Sequence, residues 1–185
     1  MATHASKSPA VFLDRDGVII EEKQFQTDPD TIEFIPGSLE GLSNLKPGFI
    51  KVVVSNQSGV ARGYFSEEDV VAFNQALDGQ LRRKGIEISG WYYCPHGPDD
   101  ACECRKPRSG MFRRAAAELP IDLARSWIVG DKSSDVAAGE ALGMKTILVG
   151  TGYGGKEEGA EVCHADFAVD NLFIAVEIIN KGSEE

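Results

Sequence analysis

The chain has 185 residues, 42% hydrophobic and 26% charged, the proportions of an ordinary soluble globular protein with length for one sizeable core. Its net charge of −10 opposes sequence-independent binding to nucleic acid, which rests on neutralising phosphates with Lys and Arg. No apolar run reaches the length of a membrane span, and the first nine residues lack the apolar segment of a secretory signal, so the expectation is a cytoplasmic protein with a polar tail over 1–8 and a single domain over 9–185.

The first apolar run, Ala10 to Leu13, predicts a buried strand over 10–14 that ends on Asp14-Arg15-Asp16-Gly17. Side chains two apart on a strand share a face, so Asp14 and Asp16 are expected to point together and Arg15 elsewhere. Residues 17–35 read as an irregular insert beside that strand end. Pro36 suits a first helical turn, with Leu39, Leu42 and Leu45 behind it. A second strand over 50–55 ends on Ser55-Asn56-Gln57-Ser58-Gly59. Ser66 to Asp69 resembles a helix cap, and Val70, Phe73, Leu77 and Leu81 follow at helical spacing. A strand over 90–93 leads into a cysteine-bearing loop, and Ser109 is expected to cap a helix striped by Phe112, Ala115, Ala116 and Leu119. A strand over 127–130 delivers Asp131; a helix over 134–142, strands over 145–149 and 166–169 and a helix after Asn171 complete the chain. This alternation predicts an α/β fold, a Rossmann-like three-layer sandwich with a mainly parallel central sheet covered on both faces. Ligands of such sheets sit beyond the carboxyl ends of the strands, where Asp14, Ser55, Cys94 and Asp131 all fall.

Two carboxylates at a strand end suit a metal ion, or a nucleophile paired with a general acid. A hydroxyl at Ser55 followed by successive backbone N–H groups can hold phosphate oxygens, although Ser, Asn and Gly also build ordinary turns. Arg105-Lys106-Pro107 supplies a planar fork and a point charge for an anion, with Arg108 beside them and Lys132 expected to join in space. Asp131 with Asp14 and Asp16 forms an all-oxygen set that suits Mg²⁺, while Asp135 falls in a first helical turn, where the helix dipole favours an acid in any case. Cys94-Pro95-His96, five residues, then Cys102-Glu103-Cys104 predicts a structural zinc site of four ligands in the loop 94–104. Gly150-Thr151-Gly152-Tyr153-Gly154-Gly155 matches the glycine pattern of dinucleotide sites but lacks the helix and acid that should follow, so it reads as a flexible loop. Cys163-His164 reads as a buried thiol beside a surface histidine, and Glu21-Glu22 as a solvated pair.

Taken together, FLDRDGVI, VVSNQSGVARGYF, YYCPHGPDDACECRKP and IVGDKSSD resemble the haloacid-dehalogenase superfamily of phosphotransferases. More narrowly they look like its heptose-bisphosphate branch; the histidinol-phosphatase branch, which shares the zinc loop and the CRKP, is the alternative. NQSGVARGYF and the GDK form of the last motif look like the first branch, whereas the short zinc loop and Phe25-Gln26-Thr27-Asp28 lean to the second. Where heptose enzymes commonly carry Gly-Tyr in the insert, this chain has Gln24-Phe25.

The resemblance implies Mg²⁺-dependent hydrolysis of one phosphate of a heptose 1,7-bisphosphate, leaving the 1-phosphate, through an aspartyl-phosphate. It implies Asp14 as nucleophile and Asp16 as general acid and then base. Mg²⁺ would sit on the carboxylates of Asp14 and Asp131 and the main-chain carbonyl of Asp16, with Asp135 behind them. Ser55, Asn56 and Lys106 would bind phosphoryl oxygens. Arg15, Glu22, Lys23, Gln24, Phe25, Gln57, Ser58, Arg105 and Lys132 are expected around the substrate. With no large cap domain, the insert and the zinc loop would rim an open site for a small phosphorylated metabolite, on a monomer with no membrane or nucleic-acid partner. An acid at Asp16 near neutral pH also requires surroundings that favour its proton.

Overall fold

The computed structural model describes residues 7–182, so most of the 1–8 tail lies outside the described residues. Six strands, β1 (Ala10–Leu13), β2 (Ile50–Asn56), β3 (Gly90–Cys94), β4 (Trp127–Gly130), β5 (Lys145–Val149) and β6 (Phe167–Val169), form one parallel sheet in the order β3-β2-β1-β4-β5-β6. The α-helices α1 (Ser38–Asn44), α2 (Glu67–Arg83), α3 (Gly110–Glu118) and α4 (Ser133–Glu140) connect the first five strands, and α5 (Leu172–Gly182) follows β6. The tail's last residue is tied down, since Ser8 bridges Ile121 and its N–H donates to the Pro120 carbonyl at 2.8 Å.

Strand alternation sorts the core into two layers. Val11 and Leu13 face one way, into a cluster with Leu42 of α1, Phe73, Leu77 and Leu81 of α2, and Leu172, Val176 and Ile179 of α5. Ala10 and Phe12 face the other way, toward Met111, Phe112 and Ala115 of α3 and Ala138 of α4. All four residues of β1 are buried because it is the central strand, covered on both faces. Burying each large aliphatic or aromatic side chain here contributes about 1.5–3 kcal/mol.

Local chemistry sets the helix starts. Ser66 and Asp69 form a reciprocal capping box at α2, with Ser66 N–H to Asp69 Oδ2 at 2.8 Å and Asp69 N–H to Ser66 Oγ at 3.2 Å. Ser109 occupies the N-cap position of α3 as expected, but its side chain makes no capping hydrogen bond; its Oγ accepts from Arg113 Nε at 2.9 Å instead. Helix α4 starts one residue earlier than the sequence suggests, at Ser133, and ends at Glu140, after which 141–143 form a turn. Among the described residues no helix is long and apolar enough to cross a membrane.

Candidate active site

The strand order reverses at β1, which places a crevice at the carboxyl ends of β1, β2 and β4. Leu13 stands level with Val53 and with Val129. Asp14, Ser55 and Asp131 are therefore one or two residues past a common level and meet at one rim. The N–H of Asp14 donates to the Val129 carbonyl at 3.0 Å, so the backbone itself fixes that carboxylate over β4.

Carboxyl oxygens of Asp14, Asp131 and Asp135 lie within 4.8 Å of one another, all buried. Lys106 is also buried, and its Nζ lies 2.6 Å from Asp135 Oδ1, 3.2 Å from Asp14 Oδ1 and 2.8 Å from the Val54 carbonyl it donates to. Burial works against that ammonium, but Asp135 and Asp14 outweigh it and hold Lys106 above the usual lysine value. Lys132 is raised as well: burial opposes its charge, and Asp14, Asp131, Glu22 and Asp135 overcome it. Burial pushes Asp14 up, offset in part by Lys106. Burial and the neighbouring Asp14 push Asp131 up to about 8. Asp131 Oδ2 accepts from the Tyr153 N–H at 2.8 Å, but its buried Oδ1 has no hydrogen-bond partner. A buried, orphaned carboxylate oxygen among further carboxylates fits a hard divalent cation.

Gly17 is needed here for two reasons: its φ of 82° lies in the left-handed region, and a Cβ would collide with Asp131 Oδ2. A Cβ at Gly152, where φ is 59°, would collide with the same oxygen and with the Gly17 Cα. The 150–155 loop is thus not the free segment read from its glycines. Its Thr151 hydroxyl donates to the Gly17 carbonyl at 2.6 Å, and the Gly155 N–H donates to the Asp131 carbonyl at 2.7 Å. That loop holds Asp131 in place. A glycine pattern alone carries no sign of such a role.

Asp16 departs from the expected geometry. Strand β1 stops at Leu13, and Arg15 does not point elsewhere but folds back on Asp16, 2.9 Å from Nη2 to Oδ2. The Arg15 guanidinium is 1% exposed, stacks 4.5 Å from the Phe73 ring centroid and donates to Asn74 Oδ1 at 2.9 Å. It is a buried brace between the motif and α2. Gln26 Nε2 and Gln57 Nε2 complete the set, donating to Asp16 Oδ1 and Oδ2 at 2.8 and 3.1 Å. Burial alone would raise Asp16, but the Arg15 charge and these hydrogen bonds leave it below the usual carboxylate value. The expected proton-favouring surroundings are absent around Asp16 as it stands here.

A cleft of about 810 Å³ opens above these groups, lined among others by Ser55, Ser58, Glu22, Gln24, Phe25, Arg105, Lys106 and Lys132. Lys132 spans it, 3.4 Å from Glu22 Oε2 and 4.7 Å from the Tyr153 ring centroid. Gln24 and Phe25 have φ of 49° and 54°, a left-handed pair that turns the Phe25 ring edge-on to Tyr64, centroids 4.9 Å apart, beneath Arg62 at 5.6 Å. Two expected contacts, Lys23 and Arg108, lie outside the cleft, and a third, Asn56, lines it with its side chain already engaged. Lys23 turns away to Glu33 and the Thr31 carbonyl, 2.9 and 2.8 Å. Arg108 donates to the carbonyls of Asp100 and Cys102, bracing the cysteine loop. Asn56 spends its side chain on the Lys106 backbone, accepting from its N–H at 3.0 Å and donating to its carbonyl at 3.2 Å. Arg62, Tyr153, Glu157 and Cys163 also line the cleft, a place the sequence did not suggest for any of them. Cys163 is half-buried in this wall, not in the core, with the exposed His164 beside it. Single residues in irregular segments carry no spacing signal.

Below the rim, Cys94, His96, Cys102 and Cys104 converge, their ligand atoms within 4.8 Å of one another. Cys94 and Cys102 sulfurs are 3.8 Å apart, His96 Nδ1 is 3.2 Å from the Cys104 sulfur, and the Cys104 and Cys94 sulfurs are 3.0 Å apart. The three cysteines are free, and burial pushes the Cys94 thiol up. A tetrahedron built on a zinc–sulfur distance of about 2.3 Å has edges of about 3.7 Å, which this cluster approaches. The same loop feeds the cleft: the Gln57 N–H donates to the Cys94 carbonyl at 2.8 Å, and Arg105 Nη1 to the His96 carbonyl at 3.2 Å.

A HAD-hydrolase-like family model matches residues 103–174. The D-glycero-beta-D-manno-heptose-1,7-bisphosphate 7-phosphatase of Vibrio cholerae is 45% identical over 160 residues, covering 82% of this chain and 86% of its own. The enzyme of the same name from Pasteurella multocida is 40% identical over 171 residues, covering 88% and 92%. Among solved structures, D,D-heptose 1,7-bisphosphate phosphatase from B. bronchiseptica, complexed with magnesium and phosphate, superposes with a TM-score of 0.84 at 33% identity, covering 94% of this chain and 99% of that one.

Proposed function

The chain belongs to the haloacid-dehalogenase-like hydrolases, phosphoric monoester hydrolases, and from that premise we propose that it removes the C7 phosphate of D-glycero-β-D-manno-heptose 1,7-bisphosphate with the help of Mg²⁺. The observation that carries the site assignment is the meeting of Asp14, Asp131 and Lys106 at one rim, with an orphaned carboxylate oxygen on Asp131. The names of the relatives support the sugar and the β anomer, and the histidinol reading finds no support among them.

Asp14, the Asp131 carboxylate and the Asp16 main-chain carbonyl would hold the magnesium ion, which when bound offsets the charge between the attacking carboxylate and the phosphoryl group. An Asp14 oxygen attacks phosphorus as the bond to the C7 oxygen breaks. Asp16 gives its proton to that leaving oxygen. The arriving phosphate supplies what the surroundings of Asp16 lack, since a second anion nearby raises a carboxylate's affinity for its proton. In the second half, water attacks phosphorus, its proton passes to Asp16, and the bond to Asp14 breaks to free phosphate. Ser55 and Lys106 face the remaining phosphoryl oxygens, and Lys106 is held charged for that task by Asp135. Arg105, Lys132 and Arg62 give an otherwise acidic protein a local positive rim for the second phosphate. The four-ligand thiol site would hold zinc and shape the loop without an open coordination position. Ligand thiols suit a reducing compartment, which supports the cytoplasm.

Phosphate release across a panel tests this: both anomers of the heptose bisphosphate, histidinol phosphate and fructose bisphosphate, with and without Mg²⁺. The β-heptose ester is expected to lead in kcat/KM and to yield the 1-phosphate. Faster turnover of histidinol phosphate would overturn the substrate assignment.

A further inference from the structure

We propose that Gln57 is a positioning residue that yokes the Asp16 carboxylate to the Ser55 hydroxyl, so that the group handling the leaving-group proton and the group meeting the phosphoryl oxygens are set together. This rests on the reading above, in which Asp16 handles that proton. A primary amide nitrogen has two hydrogens, and Gln57 spends both: one on Asp16 Oδ2 at 3.1 Å, the other on Ser55 Oγ at 2.6 Å. The orientation of the amide follows from Asp16, whose carboxylate only accepts. With both hydrogens committed, the nitrogen has none left to donate to a substrate. Ser55, by accepting from Gln57, is left with its own hydroxyl hydrogen as the donor toward the cleft.

The other partners of Asp16 cannot do this. Gln26 Nε2 divides its hydrogens between Asp16 Oδ1 and the Glu21 carbonyl, both at 2.8 Å, and so reaches only the insert's backbone. Arg15 ties Asp16 to Asn74 on α2. Gln57 alone of these three connects Asp16 to a side chain that faces the phosphoryl group. It is itself 4% exposed, and its N–H is anchored to the Cys94 carbonyl, so the yoke has a fixed base.

The test compares two esters: the alkyl phosphate that the wild-type enzyme turns over best, and p-nitrophenyl phosphate, whose leaving group departs without a proton. Gln57→Met is expected to lower kcat for both through Ser55, and for the alkyl ester by about tenfold more through Asp16. In an Asp16→Asn background the alkyl-specific excess vanishes; in a Ser55→Ala background the shared loss vanishes. Gln57→Asn, which keeps the amide but is one methylene too short to span both oxygens, is expected to show the same pattern and serves if the Met variant folds poorly. Losses that are equal for the two esters and unchanged in both backgrounds would mark a merely structural residue and overturn the proposal. So would a change of less than about twofold on either ester. Failure of the phosphatase reading looks different: the wild-type enzyme would then release phosphate from neither ester, which sinks both.

Discussion

The carboxylate cluster at the ends of β1 and β4 and the thiol cluster in the loop after β3 both crowd four or fewer metal-type ligands into one place, but the fold supports them differently. The carboxylates hang from two central strands and are already met by Lys106, Lys132 and the Tyr153 N–H. Their frame is therefore expected to persist when no cation is bound. The thiols and His96 sit in residues 94–104, where regular structure ends at Cys94 and the brace comes from Arg108 and a turn at Asp100. A sheet edge preorganises ligands with backbone hydrogen bonds; a loop must be organised by the ion it holds. The first centre is therefore expected to lose activity without losing structure, and the second to lose structure first.

The largest effect that probes this contrast is Asp14→Asn. It should lower kcat on the order of 10⁴-fold or more while far-UV circular dichroism stays unchanged. Loss of fold in this variant would break the comparison. Next come the ions. Dialysis against Mg²⁺-free buffer should stop phosphate release with the melting temperature little changed, whereas a zinc-selective chelator should raise hydrogen exchange over 94–106 and weaken activity through a misplaced Lys106. Equal loss of structure on removing either ion would contradict the contrast.

A smaller effect follows from Asp131. Raised to about 8, it keeps a proton in the folded, Mg²⁺-free protein that the unfolded chain has lost above about pH 4. The folded state then binds more protons across that window, so stability of the Mg²⁺-free protein should fall as pH rises from about 4 to 8. Asp16 has the opposite sign, but its contribution is lost only as pH falls below the usual carboxylate range. Because Mg²⁺ must displace the proton, its affinity should rise over the same window, measurable by calorimetry at pH 6, 7 and 8. The smallest effect is Asp100→Ala, which removes the hydrogen bond from the Gly97 N–H at 2.7 Å. About 0.5–1.5 kcal/mol of loop stability should be lost, read as a modest drop in the midpoint of zinc release.

The alternation of apolar runs and helical stripes was enough to predict the parallel sheet, because burial on two faces leaves a continuous apolar signature such as Val52 to Val54. Asp14, Ser55 and Asp131 could be grouped for the same reason: strand ends in a parallel sheet share an edge. The thiol set was legible because its ligands are close in sequence. Arg15 was not, since a buried guanidinium looks like any charged residue until Phe73, Asn74 and Asp16 are seen around it. Nor was the role of the 150–155 loop, whose glycines serve a close approach between Gly17, Gly152 and Asp131 that involves three separate segments.

Sequence alone thus determined what is local or periodic: which segments are strands and helices, which residue types end them, and which cysteines lie together. Tertiary structure decided what depends on distance between remote segments. It set the low proton affinity of Asp16 beside Arg15, the raised one of Asp131 beside Asp14, and the turning of Lys23 and Arg108 away from the cleft. The physical reason is that hydrophobic periodicity is written along the chain, whereas electrostatic partners and hydrogen bonds act through space and are fixed only once the chain has folded.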